Sequence, residues 1–399
     1  MKQTITILSI VAFGYLSFMA CKKVEPAAPA EDNILDGPVE GLTPAQKAMF
    51  LRGDVAFNDD VFTAETGLGP MFVATSCGSC HAGDGKGHPF TTLTRFGQVD
   101  SNGNEYMAHG APQLQNRAIP GYEPEVIPAG ASFSRFMPPA NTGMGFLEAV
   151  TDDDILAMAD PDDKDGDGIS GVPNWVHMKS YITPMAGAAT SNGRYIGRFG
   201  KKAGAYDLLQ QTAAAYNQDM GITSVYEPHD TYTGLAIDPE ISTQKLQDVV
   251  FYLQTLKAPI QRHTGDADVI AGKALFIQAD CGGCHKPELK TGYSAIDPLS
   301  NKTFHPYTDL LMHDMGPGLD DGYTEGTAKT SEWRTPALWG LGLSMNSQGG
   351  KYFLLHDGRA HSIEEAILLH GGEATVSRSK YVALPDADKK KVLKFLESL

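Results

Sequence analysis

Two copies of one short motif, C-x-x-C-H, constrain this chain more strongly than any other feature of its sequence. The copies are Cys77-Gly-Ser-Cys80-His81 and Cys281-Gly-Gly-Cys284-His285. This motif is the attachment signal for c-type haem, in which two thiols bond to the haem vinyl groups and the adjacent histidine binds the iron. A redox-active dithiol would not need the histidine, and a zinc site would need a second pair of ligands. The sequence therefore predicts two covalently bound haem c groups.

The N-terminus resembles a bacterial export signal. Lys2 supplies a positive charge, and the mostly apolar run Ile5–Ala20 follows it. The run ends at Cys21 after a small residue, as in a lipobox; simple cleavage that leaves a free Cys21 is the alternative. We expect residues 1–20 to be a signal peptide, Cys21 to carry a lipid anchor and residues 21–42 to form a tether. These expectations place the protein in the bacterial cell envelope, as a periplasm-facing or outer-membrane lipoprotein.

The charge balance of the chain bears on its partners. The sequence contains 32 Lys and Arg residues against 48 Asp and Glu residues, which gives a formal net charge of −16. Such an acidic chain is a poor partner for nucleic acid. It favours a basic electron-donor protein, of the small cytochrome or cupredoxin type, because opposite charges steer encounter.

The surroundings of the two motifs repeat along the chain. Gly53-Asp-Val-Ala-Phe57 precedes the first motif, and Gly272-Lys-Ala-Leu-Phe276 precedes the second. Apolar residues at helical spacing close each unit, at Leu246, Val249, Val250, Leu253 and Leu256 and again at Val392, Phe395, Leu396 and Leu399. A helix before the motif and another at the end are typical of cytochrome c. We predict a mainly α fold with two cytochrome c-like domains in tandem, residues 43–262 and 263–399, and long loop insertions in the first.

Several longer motifs resemble a known family. They are Gly145-Phe-Leu-Glu148-Ala149, Gly197-Arg198-Phe-Gly200, Pro306-Tyr307-Thr-Asp309, His313-Asp314-Met315-Gly316, Glu332-Trp333-Arg334-Thr-Pro336 and Leu355-His356-Asp357-Gly358-Arg359. Together with others they cover residues 43–399, and they resemble the di-haem oxidoreductases, also called predicted thiol oxidoreductases, which are related to the bacterial di-haem cytochrome c peroxidases. The resemblance implies a peroxidase-like enzyme. Electrons would pass from the C-terminal haem to an N-terminal haem that reduces hydrogen peroxide, the small-molecule oxidant.

The resemblance also suggests a sixth ligand for the C-terminal haem. Di-haem peroxidases place an axial methionine fourteen residues after the histidine of their His-Asp-Gly motif. The same count from His356 reaches His370, so we expect two histidine ligands and a lower reduction potential than a His/Met pair gives. Met345 is the alternative ligand, and a surface histidine at a helix C-terminus is the alternative role for His370.

No distal ligand is evident for the N-terminal haem, which suits peroxide because the reaction needs an open position. By the same resemblance, Glu148 is the candidate acid–base group, with Gln115 as its polar neighbour. Glu148 could equally be an ordinary surface carboxylate. His88 and His109 are alternative iron ligands in a resting form, or loop residues.

Three other residues are candidates to surround the haems. Arg334 and Arg359 could pair with haem propionates, because a guanidinium matches a carboxylate. Trp333, next to Arg334, could lie between the haems and support electron passage, or it could simply pack at a domain interface.

An acidic segment resembles half of a calcium loop. Asp163-Lys-Asp165-Gly-Asp167-Gly168 has the D-x-D-x-D-G pattern that begins an EF-hand loop. The twelfth position is Asn174, where an EF-hand has a bidentate glutamate. The sequence therefore leaves two interpretations, a structural calcium ion or a solvated acidic turn.

Three classes of function agree with these features. The first is a peroxidase-like oxidoreductase. The second is an electron-transfer cytochrome with two six-coordinate irons and no substrate. The third is an oxidase of thiols or of another substrate, in which the thiol belongs to the substrate because the chain has no spare cysteine pair.

Overall fold

The computed structural model describes residue 30 and residues 33–97, 103–107 and 110–399. The predicted signal peptide, Cys21, residues 22–29 and 31–32 of the predicted tether, and His109 lie outside the described residues. Residues Leu35–Leu399 form one compact unit, which contains both motifs. Among the helices of the described ranges, none has the length and apolar character needed to cross a membrane.

Helices provide the long elements of the described chain. They are α1 (Pro44–Asn58), α2 (Met144–Glu148), α3 (Asp152–Met158), α4 (Leu208–Met220), α5 (Thr243–Thr255), α6 (Ala267–Gln278), α7 (Ser344–Ser347), α8 (Ile363–Leu369), α9 (Thr375–Val382) and α10 (Asp386–Ser398). Long loops connect them. The prediction of a mainly α fold is confirmed in part, because helices are the long elements but short strands also occur, and the tandem arrangement of two cytochrome c-like domains stays a prediction.

The strands are short and form small antiparallel sheets. They are β1 (Met71–Phe72), β2 (Leu93–Phe96), β3 (Arg117–Ala118), β4 (Phe133–Phe136), β5 (Trp175–Val176), β6 (Thr190–Ser191), β7 (Arg194–Ile196), β8 (Leu289–Lys290), β9 (Thr303–Phe304), β10 (Met312–Asp314) and β11 (Glu332–Arg334). The sheets are β1–β3, β2–β4, β5–β7–β6, β8–β9 and β10–β11. In the last of these, His313 lies opposite Trp333.

Local sequence explains where α1 begins. The Thr43 hydroxyl accepts a hydrogen bond from Gln46 N at 3.3 Å, and Gln46 Oε1 accepts one from Thr43 N at 3.0 Å. This reciprocal capping box, with Pro44 at the first helical position, satisfies N–H groups that the first turn leaves unpaired.

Two helix pairs frame the two motifs in the same way. Helix α1 packs against α5 and α6 packs against α10, each at a glycine of the leading helix. A Cβ on Gly53 would overlap the backbone oxygen of Asp248, and a Cβ on Gly272 would overlap that of Lys391. These glycines therefore allow the helix backbones to approach each other closely.

The apolar core forms two main clusters. The larger draws mostly on residues 42–256, and the smaller draws on residues 269–399. The larger cluster also includes later residues, namely Leu289, Phe304, Leu310, Leu311 and Trp339. The division into domains at residues 262 and 263 therefore stays a prediction.

Candidate haem centres

The N-terminal motif forms a tight turn that positions its histidine. The backbone N–H groups of Cys80 and His81 both donate to Cys77 O, at 3.1 and 3.0 Å. His81 Nδ1 lies 2.9 Å from Pro139 O. A carbonyl can only accept a hydrogen bond, so Nδ1 carries the proton and Nε2 keeps its lone pair. Burial lowers the pKa of His81 to about 4, and the imidazole is therefore neutral at pH 7.

The C-terminal motif repeats this arrangement. His285 N donates to Cys281 O at 3.0 Å, and His285 Nδ1 lies 2.9 Å from Tyr307 O. Burial lowers the pKa of His285 to about 4. Both helices that precede the motifs also place a phenylalanine beside the histidine, with ring centroids 6.0 Å apart for Phe57 and His81 and 6.4 Å for Phe276 and His285.

The donor atoms of both motifs fit haem c. All four motif cysteines are free thiols. Burial raises the pKa of Cys77 and of Cys281 to about 12, and that of Cys80 to about 11, so these thiols do not ionise at neutral pH. Zinc binding and dithiol redox chemistry both use the thiolate, which this environment disfavours. Each neutral histidine keeps an Nε2 lone pair for iron.

His370 lies close to the C-terminal motif. It directly follows α8, and its Nδ1 lies 2.7 Å from Ala366 O, which leaves the Nε2 lone pair available. Burial lowers its pKa. A charge on His370 would also lower the pKa of His285, which places the two imidazoles near each other.

The alternative ligand Met345 lies in a different region. It belongs to α7, where the Ser347 hydroxyl donates to Lys86 O at 2.8 Å. Lys86 follows the N-terminal motif by five residues. Helix α7 is therefore attached to the chain beside the N-terminal motif.

Three cations lie together. Within the described residues no side-chain ion pair joins them to a carboxylate, although the charges of Asp357 and Asp309 act on Lys201 and Arg334. Burial and the charges of Lys86 and Arg334 lower the pKa of Lys201 to about 7. Burial also lowers the pKa of Lys86 to about 8 and that of Arg334 to about 10. Lys201 in turn lowers the pKa of His81, so the cluster is close to the N-terminal motif. Haem propionates would supply the missing anions, which is a second respect in which the residues fit haem.

Sequence reasoning identified Arg334 in this cluster but missed Lys86 and Lys201. The local sequence signal for a cation cluster is the pair Lys201-Lys202. Sequence alone does not distinguish such a pair from two solvent-exposed lysines. Arg359, the other predicted propionate partner, instead binds Asp357 at 2.8 Å and Gly318 O at 3.0 Å. Its role towards haem stays a prediction.

Glu148 is half-buried, and both oxygens of its carboxyl group have hydrogen-bond partners. Its Oε1 accepts from Leu208 N at 2.7 Å, at the start of α4, and its Oε2 accepts from Gln254 Nε2 at 2.7 Å. Burial raises its pKa to about 7. Both oxygens are thus engaged by the protein, and the acid–base role of Glu148 stays a prediction.

Gln115 lies beside another carboxyl group, which sequence reasoning missed. Its backbone N–H donates to Glu125 Oε2 at 2.6 Å, while its side-chain amide donates to Gln218 O at 3.1 Å. Burial raises the pKa of Glu125 to about 7. Glu125 is half-buried, and only this backbone N–H engages its carboxylate within the described chain.

Unpaired polar groups lie near the N-terminal cysteines. Gln113 is buried, and neither atom of its amide has a hydrogen-bond partner among the described residues. It lies opposite Arg95, which pairs with Glu325 at 3.1 Å. Burial raises the pKa of Asp219 to about 7, and a charge on Asp219 would raise the pKa of both Cys77 and Cys80. The site therefore has polar groups that a bound molecule could engage.

His88 serves the local backbone. Its Nδ1 accepts from Phe90 N at 3.2 Å, and its ring stacks on Phe90 with centroids 4.7 Å apart. Because Nδ1 accepts, the proton is on Nε2, which therefore lacks the lone pair that an iron ligand needs.

The acidic loop groups a different set of carboxylates from the predicted one. Oxygens of Asp160, Asp163 and Asp165 lie within 4.8 Å of one another. Asp167 Oδ1 instead accepts from Ile169 N at 2.8 Å. Calcium binding by Asp163, Asp165 and Asp167 stays a prediction.

His313 bridges two carboxylates near the C-terminal motif. Its Nε2 lies 2.9 Å from Asp309 Oδ2, its Nδ1 lies 2.7 Å from Glu373 Oε2, and Cys284 Sγ is 3.6 Å from Nδ1. Burial opposes a charge on His313, but these hydrogen bonds outweigh it and hold the pKa well above its usual value. The charged imidazolium fixes Glu373, which follows His370 by three residues.

Comparison with known proteins gives a family match. Residues 133–399, more than half of the chain, match the family model described as "Di-haem oxidoreductase, putative peroxidase". No curated protein matches the chain.

Three solved structures are similar to the chain. Hydrazine synthase of Kuenenia stuttgartiensis has 13% identity, covering 94% of this chain and 98% of that chain, with a TM-score of 0.37. A MauG-like protein associated with microbial copper homeostasis has 13% identity, covering 94% of each chain, with a TM-score of 0.41. The diheme peroxidase BthA of Burkholderia thailandensis has 16% identity, covering 90% of this chain and 86% of that chain, with a TM-score of 0.41.

Proposed function

The chain belongs to the di-haem oxidoreductase family and is an oxidoreductase, and from that premise we propose that it is a c-type di-haem enzyme that reduces hydrogen peroxide. The observation that carries the proposal is an asymmetry between two otherwise similar motif sites. Each site has a neutral histidine with its Nδ1 bound to a carbonyl group. A second histidine of this kind, His370, lies near His285. A haem that stores electrons needs both axial positions filled, whereas a haem that binds a substrate needs one position open, and a second histidine at only one site provides this difference.

The residues of the chain have distinct roles in this proposal. The haem groups, when bound, supply iron that exchanges electrons with the donor and the oxidant. The four motif cysteines would attach them, His81 and His285 would bind the irons, and His370 would be the second histidine at the C-terminal site. Lys86, Lys201 and Arg334 neutralise propionates. Electrons enter at the C-terminal site, and each hydrogen peroxide takes up two electrons and two protons to give two water molecules.

Proton delivery requires an acid–base group near the N-terminal site. Glu148, the predicted group, and Glu125, beside Gln115, each have a pKa raised by burial to about 7. Such a group can both release and accept a proton at neutral pH. Glu148 would have to give up a hydrogen bond to do so, whereas one oxygen of Glu125 is free of described partners. We include both as candidates.

The proposal is tested with EPR and peroxide consumption by the oxidised and half-reduced protein. We expect a high-spin signal at one iron, lost on adding cyanide. Replacing the true acid–base group, as Glu125→Gln or Glu148→Gln, should lower peroxide reduction about 10²-fold or more, the range that general acid–base catalysis supplies. The other variant should stay close to the native rate and serves as its matched control.

Two outcomes would contradict this proposal. Two low-spin signals that persist at half-reduction and ignore cyanide would make the protein an electron carrier. If both glutamate variants reduce peroxide at a rate within about threefold of the native rate, neither residue is the acid–base group. Even weak acid–base catalysis contributes more than that factor.

The electron donor is proposed to dock beside the C-terminal motif. An open cavity of about 440 Å³ there is lined by Gly282 and Gly283, by the apolar side chains of Ile277 and Val376, and by acidic residues that include Asp167, Asp280 and Glu373. The two glycines have no side chain to separate a bound haem from the partner. An apolar centre with an acidic rim fits a small cytochrome or cupredoxin with a basic surface.

Docking by this surface should depend on salt. We expect the rate of reduction by a basic cytochrome to fall about tenfold or more between low and high salt, and to fall further with Asp167→Asn. Glu65→Gln, an exposed carboxylate that does not line the cavity, is the matched control. Equal rates for all three proteins at low salt would contradict the assignment of this surface.

Covalent attachment and membrane association are also part of the proposal. We propose that the protein is exported, that Cys21 carries a lipid anchor, and that the protein faces the periplasm or belongs to the outer membrane. The intact mass of the purified protein tests both features at once. Two covalent haems and an N-terminal diacylglycerol are expected, and a mass that lacks either one would contradict that part.

A further inference from the structure

The indole of Trp333 lies between a histidine ring and a buried ammonium group. The rings of Trp333 and His356 stack with centroids 3.7 Å apart and an angle of 9° between their planes. Lys202 Nζ lies 3.9 Å from the centroid of the same indole. A stacked ring at 3.7 Å leaves no space for an ammonium group on its own side, so Lys202 occupies the opposite face. Trp333 is only 7% exposed, and Lys202 is fully buried.

Hydrogen bonds fix the charge of Lys202. Its Nζ donates to three carbonyl oxygens, those of Lys329, Thr330 and Glu332, at 2.9–3.0 Å. Three donated bonds require the three protons of an ammonium group, because a neutral amine has only two. Asp321 Oδ1, at 3.6 Å, is the nearby counter-charge. Burial lowers the pKa of Lys202, but the three donated hydrogen bonds require its ammonium form, so the indole face carries a positive charge.

The surroundings of Trp333 oppose its oxidation in two ways. A cation on the ring face stabilises the electron-rich neutral indole, and it would repel the positive charge left by the loss of an electron. The indole Nε1–H donates to Leu319 O at 2.8 Å. A carbonyl is not a base that could take this proton, so the oxidised ring could not relax by deprotonation. Burial lowers the pKa of His356 to about 3, and the stacked imidazole is therefore neutral.

Trp333 also lies on a route of contacts between the two motifs. On one side it lies opposite His313 in the β10–β11 ladder, and His313 Nδ1 is 3.6 Å from Cys284 Sγ. On the other side its ring centroid is 5.8 Å from that of Phe136. Phe136 precedes by three residues Pro139, whose carbonyl oxygen binds His81.

We propose that Lys202 keeps Trp333 reduced, so that the Trp333–His356 stack carries electrons between the two sites by tunnelling and does not itself become oxidised. This inference rests on the proposed peroxide chemistry, since peroxide without a donor is the oxidant that would otherwise take an electron from the protein. Oxidation of Trp333 would transfer one electron from the indole and leave a radical cation with its N–H proton still bound. Lys202 is thus a positioning residue that protects the route between the sites.

The test compares oxidation of Trp333 in native protein and in Lys202→Met. Each protein receives hydrogen peroxide without a reductant, and peptide mass spectrometry measures the oxidised fraction of Trp333. Trp339, which is similarly buried, is the reference within the same digest. We expect the ratio of Trp333 to Trp339 oxidation to rise on the order of tenfold or more in Lys202→Met, because the repelling charge is lost. A tryptophan radical should also appear in its EPR spectrum. Lys202→Arg, which keeps the charge, should behave like the native protein.

A second treatment separates this inference from the proposed function. Photo-excited ruthenium tris-bipyridine with persulfate removes single electrons without any peroxide chemistry at haem. If the ratio of Trp333 to Trp339 oxidation differs between native protein and Lys202→Met with this oxidant, while peroxide oxidises neither protein, the role of Lys202 is supported and the proposed peroxide chemistry is contradicted. If Lys202→Met matches the native ratio under both oxidants, the role of Lys202 is overturned. Should Lys202→Met not fold, Lys202→Gln replaces it, because its neutral amide can still donate to two of the three carbonyl groups.

Discussion

Replacing His370 with methionine is expected to raise the reduction potential of the C-terminal haem by on the order of 0.1 V, within the roughly 0.8 V that axial ligands span. A thioether is a weaker electron donor than an imidazole and therefore favours ferrous iron. The variant would introduce the His/Met pair that the resemblance attributes to di-haem peroxidases, in place of the two histidine ligands expected for this chain. Spectroscopic redox titration of native protein and His370→Met measures the shift.

The backbone at His370 is held by contacts that do not involve its side chain, so a change of potential in this variant can be assigned to the ligand. Ser362 caps the N-terminus of α8, since its hydroxyl accepts from Glu365 N at 3.0 Å, and His370 caps the C-terminus of the helix. Arg378 Nη1 donates to His370 O at 2.7 Å, which holds the backbone independently of the side chain. A change of side chain should therefore alter ligation and leave the loop in place.

Two further variants complete the His370 experiment. His370→Ala should convert the C-terminal iron from low spin to high spin, because no ligand replaces the imidazole. Met345→Ala is the matched control, and its C-terminal potential should stay native, since α7 is attached beside the N-terminal motif. A native potential in His370→Met together with a shifted potential in Met345→Ala would assign the ligand to Met345.

Local sequence was sufficient for features that depend on nearby residues. The motif turn closes within five residues, the capping box of α1 within four, and Gly53 and Phe57 recur as Gly272 and Phe276 at the same spacing. In each of these features the residues lie within one turn or one helix, so the local backbone sets their geometry and the spacing in the sequence predicts it. His370 was reached by a residue count that the resemblance to di-haem peroxidases implies, and its role as an iron ligand stays a prediction.

Long-range contacts were not accessible from the sequence. The carbonyl groups that orient His81 and His285 belong to Pro139 and Tyr307, which lie 58 and 22 residues further along the chain. Nothing in the local sequence distinguishes those carbonyl groups from any others. The same holds for Lys201, which the fold brings next to Lys86 and Arg334.

The carboxylates illustrate the same limit. Glu148 was chosen from its motif, but its oxygens are bound by Leu208 and Gln254, 60 and 106 residues away. Glu125 became a candidate only because the fold places it on the backbone of Gln115. A raised pKa arises from burial, which depends on what the rest of the chain covers.

Replacing Gly272 with alanine is expected to destabilise the protein by about 3 kcal/mol, at the upper end of the range for overpacking. Its new Cβ would overlap the backbone oxygen of Lys391 and the Cβ of Phe395, so α6 and α10 would have to separate. Backbone atoms cannot move aside as a flexible side chain can. Gly53→Ala should have a similar effect on α1 and α5, through Asp248 O. Chemical denaturation of the haem-containing protein measures both changes.

The two glycine variants should also differ in which haem they disturb. Gly272 precedes by four residues Phe276, whose ring lies beside His285, so Gly272→Ala should alter mainly the spectrum of the C-terminal haem. Gly53→Ala should act mainly on the N-terminal haem through Phe57 and His81. Gly265→Ala, with no neighbouring atom within 4 Å of the new Cβ, is the control and should change stability by less than about 1 kcal/mol. Equal losses of stability in all three variants would show that close approach of the helix backbones is not what these glycines provide.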